Sequence, residues 1–218
     1  MKKSSYSQLN LLQKKLSSIG EKGWFDIFFT SKYRYIELKI PHYDYLRGKV
    51  FIEDIIDLYE EEEEEVLNIS INHLIDILYT DFLSKIKKGV TNDDKNEVNY
   101  GVIANYLVSK QQKYFSLPVS QKRIMKRVNT NLFTFQTVEE EIPLNDDEEE
   151  QHVYLTLKIK DAALLRGEVF LHDLSPFLAD HSIQIEDVII ILYMDFIEKI
   201  KENGNNLAVM KAIVNRLN

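Results

Sequence analysis

The ten residues YLRGKVFIED, Tyr45 to Asp54, return with six identities as LLRGEVFLHD, Leu164 to Asp173. The match extends upstream at a constant offset, so that Tyr35 to Asp54 lies over Tyr154 to Asp173 with ten identities in twenty positions. Identity at half of the positions is far beyond chance for two stretches of this length. The sequence therefore predicts that the chain contains one structural unit twice.

The matched blocks keep their order along the chain. Downstream, ILYTDFLSKIK from Ile77 lies over ILYMDFIEKIK from Ile191. We predict a first unit over residues 1–108 and a second over residues 109–218. Each unit has the element order α-β-β-α-α-α, and the predicted fold class is α+β, with the two units packed as a pseudo-twofold pair.

The start of each unit predicts a short helix and then a β-hairpin. The polar segments SQLNLLQKKLSS and SQKRIMKRVN fit short basic helices. Aromatic and β-branched residues then alternate with a period of two, which predicts antiparallel hairpins of WFDIFF with YRYIELKI and of LFTFQTV with HVYLTLKI.

The rest of each unit predicts three helices. The first contains the quoted stretch, and Pro176 should break it in the second unit. The next has apolar residues at helical spacing from Ile71, with N-caps expected at Asn68 and Ser182 and stops at Gly89 and Gly204. A closing helix follows in each unit. The second copy of the middle helix is apolar on more sides, so Ile190 is expected to contact residues outside its own unit.

Two acidic insertions interrupt the repeat, about five residues within 60–65 and about eleven within 139–150. The simple interpretation is a pair of solvated acidic loops. The alternative is a docking surface for a partner protein, whose candidate residues are Glu60, Glu61, Glu62, Glu63, Glu139, Glu140, Asp146 and Asp147.

Composition excludes several classes of protein. The 218 residues are 44% hydrophobic and 28% charged, which is typical of a globular chain, and no apolar run is long enough for a membrane span or a secretory signal. Cysteine is absent, so there is no disulfide, thiolate metal site or cysteine nucleophile. We therefore expect a cytoplasmic protein, either a monomer or a homodimer.

No motif of known chemistry is present. The sequence contains no GxGxxG, no GxxxxGK followed by serine or threonine, and no GxSxG. The five histidines are scattered, without the paired spacing of a metal site. We predict no catalytic residue, no metal and no cofactor.

Four polar pairs occupy matching places in both units. Each pair has two interpretations, a structural contact that recurs because the unit recurs, or two related ligand or partner pockets. The pairs are Arg47 with Arg166, Asp54 with Asp173, Tyr79 with Tyr193, and Asp81 with Asp195.

A basic segment joins the two units, and its cations are Lys110, Lys113, Lys122, Arg123, Lys126 and Arg127. With Tyr114 and Phe115 between them, these residues could bind a nucleic-acid strand, since the cations neutralise phosphates and the aromatic rings stack on bases. They could equally face the acidic insertions of the same chain. The net charge of −8 disfavours nucleic-acid binding in general.

The absence of catalytic motifs and the acidic insertions favour a non-enzymatic protein-interaction or regulatory protein, such as an inhibitor, an adaptor or an immunity-type factor. Its partner is another protein, which binds an acidic surface flanked by aromatic residues. Two alternatives stay open: a nucleic-acid-associated regulator that uses residues 110–127, and a small-molecule sensor with a pocket between the units.

Overall fold

A computed structural model describes residues 33–63, 67–87, 99–115, 119–129, 132–141 and 151–216. These residues are mostly helical with small antiparallel sheets, so the α+β prediction is confirmed. In chain order the elements are β1 (Tyr33–Pro41), α1 (His42–Glu63), α2 (Ile71–Lys87), α3 (Tyr100–Phe115), β2 (Val119–Asn129), β3 (Leu132–Glu141), β4 (His152–Lys160), α4 (Asp161–Leu174), a 3₁₀ turn (Ser175–Phe177), α5 (Ile185–Asn203) and α6 (Leu207–Val214).

The central sheet is a two-stranded antiparallel ribbon of β1 and β4, called the ribbon below. Its register runs from Tyr33 opposite Lys160 to Pro41 opposite His152, with Glu37 opposite Thr156 at the middle. The two strands are far apart in the chain, with three helices and the strands β2 and β3 between them.

This pairing corrects the predicted hairpin of the second unit. LFTFQTV lies in β3, which pairs with β2 rather than with β4. SQKRIMKRVN, predicted as a helix, forms most of β2. Its residues are good helix formers, but pairing with a strand overrides that weak preference. The predicted strand WFDIFF and the first predicted helix lie outside the described residues.

The ribbon has one buried face and one exposed face, as its alternating residues predict. The side chains on the inner face are almost fully buried against the helices: Ile36, Leu38 and Ile40 from β1, and Leu157 and Ile159 from β4. The outer face contains Tyr35, Lys39, Tyr154 and Lys158.

The first helix after the ribbon differs between the two parts of the chain. In the second, α4 ends at Leu174 and a 3₁₀ turn containing Pro176 follows, so the predicted break is confirmed. In the first, α1 continues to Glu63. The acidic run was predicted to be a loop, but residues 60–63 extend the helix instead, because glutamate is a good helix former.

The start and end of α5 follow familiar capping chemistry. Gln184 precedes the helix and its N–H donates to Asp187 Oδ2 at 2.9 Å, while Gly204 ends it with φ of 70°. At α2, the N–H of Ser70 donates to His73 Nδ1 at 3.1 Å in the same arrangement. The predicted N-caps Asn68 and Ser182 were therefore wrong by two residues, whereas the stop at Gly204 is confirmed; Gly89 lies outside the described residues.

Helix α5 is the centre of the packing. It contacts β1 and the helices α1, α2, α3 and α4. Ile189, Ile190 and Ile191 are all buried, although they point in different directions around the helix. The contacts of α5 with β1 and α1 confirm that this helix packs outside its own predicted unit.

Candidate interaction surface

Tyr79 and Tyr193 are fully buried tyrosines that bond to backbone far away in the chain. The Tyr193 hydroxyl donates to the carbonyl oxygen of Asp44 at 2.8 Å, and the Tyr79 hydroxyl donates to that of Ala163 at 3.2 Å. Burial raises the pKa of both hydroxyls above the ordinary value for tyrosine. Asp44 and Ala163 occupy matching places in the sequence repeat, so the two tyrosines make equivalent bonds to distant parts of the chain.

The two repeated glycines make room for these tyrosines. A Cβ on Gly48 would lie 2.2 Å from the Tyr193 hydroxyl, and a Cβ on Gly167 would lie 2.2 Å from the Tyr79 hydroxyl. Neither distance is compatible with any side chain unless the tyrosine moves. The glycine of the repeated LRG is therefore required by the approach of a tyrosine that is distant in the chain.

Asp81 and Asp195 each form an ion pair with a cation outside their own helix. Lys110 of α3 pairs with Asp195 of α5, and Arg216, just after α6, pairs with Asp81 of α2. Burial alone would raise the pKa of Asp195, but hydrogen bonds from Lys110 and Lys199 bring it below its usual value. For these two pairs the structure shows structural contacts.

The remaining polar pairs are more exposed. Asp54 accepts a hydrogen bond from the Asn205 side chain, while Asp173 is exposed with His172 Nδ1 at 3.9 Å. Arg47 is half-buried on α1, and the exposed Arg166 of α4 acts electrostatically on Tyr79, where its charge opposes the rise that burial causes in the tyrosine pKa.

Helix α3 contains the described side chains of the basic segment. Lys113 pairs with Glu198 of α5, as does Lys110, and the Tyr114 hydroxyl donates to Glu198 Oε2 at 3.1 Å. Burial and the bond to Glu198 raise the pKa of Tyr114 to about 12. These two lysines thus face carboxylates of α5. Strand β2 contains the other cations of the segment, Lys122, Arg123, Lys126 and Arg127.

The predicted acidic docking residues are not gathered into one described site. Glu60 is exposed on α1, and residues 61–63 continue that helix. Glu139 and Glu140 lie on β3 opposite Gln121 and Ser120. Asp146 and Asp147 lie outside the described residues.

The outer face of the ribbon combines two strands that the sequence did not predict to pair. Tyr35 stands opposite Lys158 and Lys39 stands opposite Tyr154, so two tyrosine–lysine pairs flank the central Glu37. Tyr154 is 63% exposed. The signal was present among the repeat identities, since Tyr35 matches Tyr154 and Lys39 matches Lys158. It was overlooked because nothing local indicates that these two strands pair.

The charge of this face differs from that of the whole chain. Neither Lys39 nor Lys158 forms an ion pair with the residues that the structure describes, and Lys158 Nζ lies 4.4 Å from the centre of the Tyr33 ring. Lys160, opposite Tyr33, lies near Asp76 of α2, whose pKa is raised by burial and lowered again by this lysine. Three lysines against Glu37 make the face positive in a chain of net charge −8.

Among the residues that the structure describes, no group of three or more histidine, aspartate or glutamate side chains could hold a metal ion. No helix in this part of the chain is long and apolar enough to cross a membrane. Comparison of the chain with protein-family models, curated proteins and solved structures found no match.

Proposed function

We propose that this chain is a non-enzymatic cytoplasmic interaction protein that binds a partner protein through the outer face of the ribbon. The exposure of Tyr154, directly opposite Lys39, which has no ion-pair partner among the described residues, is the observation that carries the proposal. Tyrosine combines a large apolar area with a hydroxyl and few rotatable bonds, which makes it a frequent centre of binding energy in protein interfaces. The ribbon holds the ring rigidly because the opposite face of the strand is packed into the core.

We also propose that the fold arose by duplication and that its two units form a pseudo-twofold pair. Two reciprocal arrangements support this: the tyrosines that bond to the other unit and the symmetric register of the ribbon. In that register Ile36 faces Leu157 and Leu38 faces Leu155, as a twofold axis through Glu37 and Thr156 requires.

The acidic insertions are proposed as a second contact with the same partner. Glu60 is solvent-exposed at the end of α1, so it is accessible to a partner without unfolding. Neutralising residues 60–65 or 139–150 should weaken capture of the partner and leave the melting temperature unchanged. Equal capture by these variants would restrict the interface to the ribbon.

The test of the proposed function is a capture experiment with a matched pair of variants. Tyr154→Ala removes a ring that is 63% exposed on the ribbon, and Tyr43→Ala removes a ring that is 65% exposed on α1. The wild-type protein and Tyr43→Ala should capture the same partner protein from a nuclease-treated lysate of the source cell. Tyr154→Ala should fail to capture this partner, although its own melting temperature equals that of the wild-type protein. Equal retention by all three proteins would contradict the proposal.

A further inference from the structure

We propose that the partner segment bound by the ribbon is acidic, an extended stretch of chain rich in aspartate and glutamate. This inference rests on the proposed function and adds the chemistry of the ligand. Lys39, Lys158 and Lys160 project from the outer face together with one carboxylate, Glu37. An acidic segment would neutralise the excess of positive charge on this face.

The geometry of the ribbon favours an extended ligand. Lys158 stands opposite Tyr35, which is four residues before Lys39 on β1. At a strand rise of about 3.3 Å per residue, the two lysines are separated by roughly 13 Å along the ribbon. An extended peptide places every second side chain on the same side, so two carboxylates four residues apart span this distance. The tyrosines beside each lysine would pack against the residues between.

The charge of the rest of the molecule decides between a short acidic peptide and a nucleic-acid strand. The ribbon is nine residues long, about 30 Å, whereas the whole chain carries a net charge of −8. A long polyanion would extend past the lysines and be repelled by the net negative charge of the chain, whereas a short acidic segment fits within the positive face. The observations therefore favour protein over nucleic acid.

The binding test uses fluorescence anisotropy with three labelled probes of about ten units, an oligoglutamate peptide, an oligoglutamine peptide and an oligothymidylate. The full-length protein should bind oligoglutamate at low salt, with affinity that falls as salt rises, and should not bind oligoglutamine. Failure to bind oligoglutamate, or tighter binding of oligothymidylate, would overturn the inference.

Two double variants test the position of the site. Lys39→Gln with Lys158→Gln should weaken oligoglutamate binding by about tenfold, because two exposed charge interactions are lost. Lys49→Gln with Lys85→Gln makes the same change of net charge on exposed positions of α1 and α2 and should leave binding within about twofold. Equal loss in both variants would show a general charge effect and refute a ribbon site.

The inference and the proposed function can fail separately. If lysate capture is lost in Tyr154→Ala but no acidic probe binds, the ribbon is an interface for a partner of different chemistry. If an acidic probe binds at Lys39 and Lys158 but capture is insensitive to Tyr154, the protein-partner proposal is rejected and the acidic-ligand site stands.

Discussion

Gly48 and Gly167 each leave a space that the hydroxyl of a distant tyrosine fills. Substitution of Gly48 by alanine places a Cβ 2.2 Å from the Tyr193 hydroxyl, so the buried ring must move and its hydrogen bond must weaken. We expect Gly48→Ala to lower the free energy of unfolding by about 2 kcal/mol, measured by urea denaturation.

Gly101→Ala is the matched control, because its Cβ would meet nothing closer than 3.6 Å. Since Gly101 lies in α3 and alanine favours helices, this variant should be neutral or slightly stabilising. The specific cause is tested with Tyr193→Phe, which removes the clashing oxygen. The double variant Gly48→Ala with Tyr193→Phe should lose less free energy of unfolding than the sum of the losses in Gly48→Ala and Tyr193→Phe. Strict additivity of the two losses would refute the steric explanation.

The buried hydroxyls of Tyr79 and Tyr193 make stability depend on alkaline pH. Burial raises the pKa of both hydroxyls in the folded state above their pKa of about 10 in the unfolded chain. The contribution of the neutral hydroxyls to the free energy of unfolding is therefore complete below pH ~10 and is lost as the pH rises above that value. Phenylalanine cannot ionise. We expect Tyr193→Phe to cost about 1 kcal/mol at neutral pH and to flatten the decline above pH ~10, measured by urea denaturation across that range. An unchanged alkaline slope would contradict this assignment.

At the level of single residues, the sequence singled out Tyr79 and Tyr193 as a matching pair, for which a recurring structural contact was one of two interpretations. It did not predict the partners. Both acceptors are backbone carbonyls, of Asp44 and Ala163, and any residue type supplies one. The ribbon surface escaped prediction for a similar reason, since Lys39 and Tyr154 become neighbours only through strand pairing.

Among the elements, α3 is attached to α5 by a cluster of charges around Lys110. The side chain of this lysine is 21% exposed and that of its partner Asp195 is 13% exposed, so little water screens the pair. We expect Lys110→Met to lower the free energy of unfolding by about 2 kcal/mol, measured by urea denaturation at neutral pH, because Asp195 loses one of its two cations.

Lys113→Met provides the comparison on the same helix. Lys113 is 52% exposed and pairs with Glu198, which also accepts bonds from Lys110 and Tyr114. The cost should therefore be less than about 1 kcal/mol. Equal costs for the two lysines would mean that burial does not determine the strength of these pairs.

Helices were predictable from the sequence where apolar residues kept helical spacing over a long stretch, as in α2 and α5. The end of α4 was predictable because a proline follows it. Strand pairing was not. The period of two correctly predicted that β1 and β4 are half-buried strands, but it holds no information on which strand lies alongside. The predicted helix that became β2 failed because pairing supplies more free energy than a local preference does.

For the whole molecule, the reciprocal contacts mean that neither part is complete by itself. Helix α3 runs through residues 108 and 109, so a division of the chain is best placed after Phe115. We expect residues 1–117 and 118–218, expressed separately, to lack cooperative unfolding in circular dichroism, because β1 lacks β4 and each tyrosine lacks its acceptor. Mixed together, they should form a one-to-one complex in size-exclusion chromatography. A fragment that folds cooperatively alone would contradict this expectation.

The pairing of β1 with β4 also has a consequence on the ribosome. Lys160 is made 127 residues after its partner Tyr33, a delay of roughly 6–25 s at usual rates of translation. During that interval the apolar side of β1, with Ile36, Leu38 and Ile40, lacks β4 beside it and α5 beneath it. The nascent chain is therefore most prone to aggregate before its second half emerges, and the yield of soluble protein should depend on elongation speed and on chaperones that bind the growing chain.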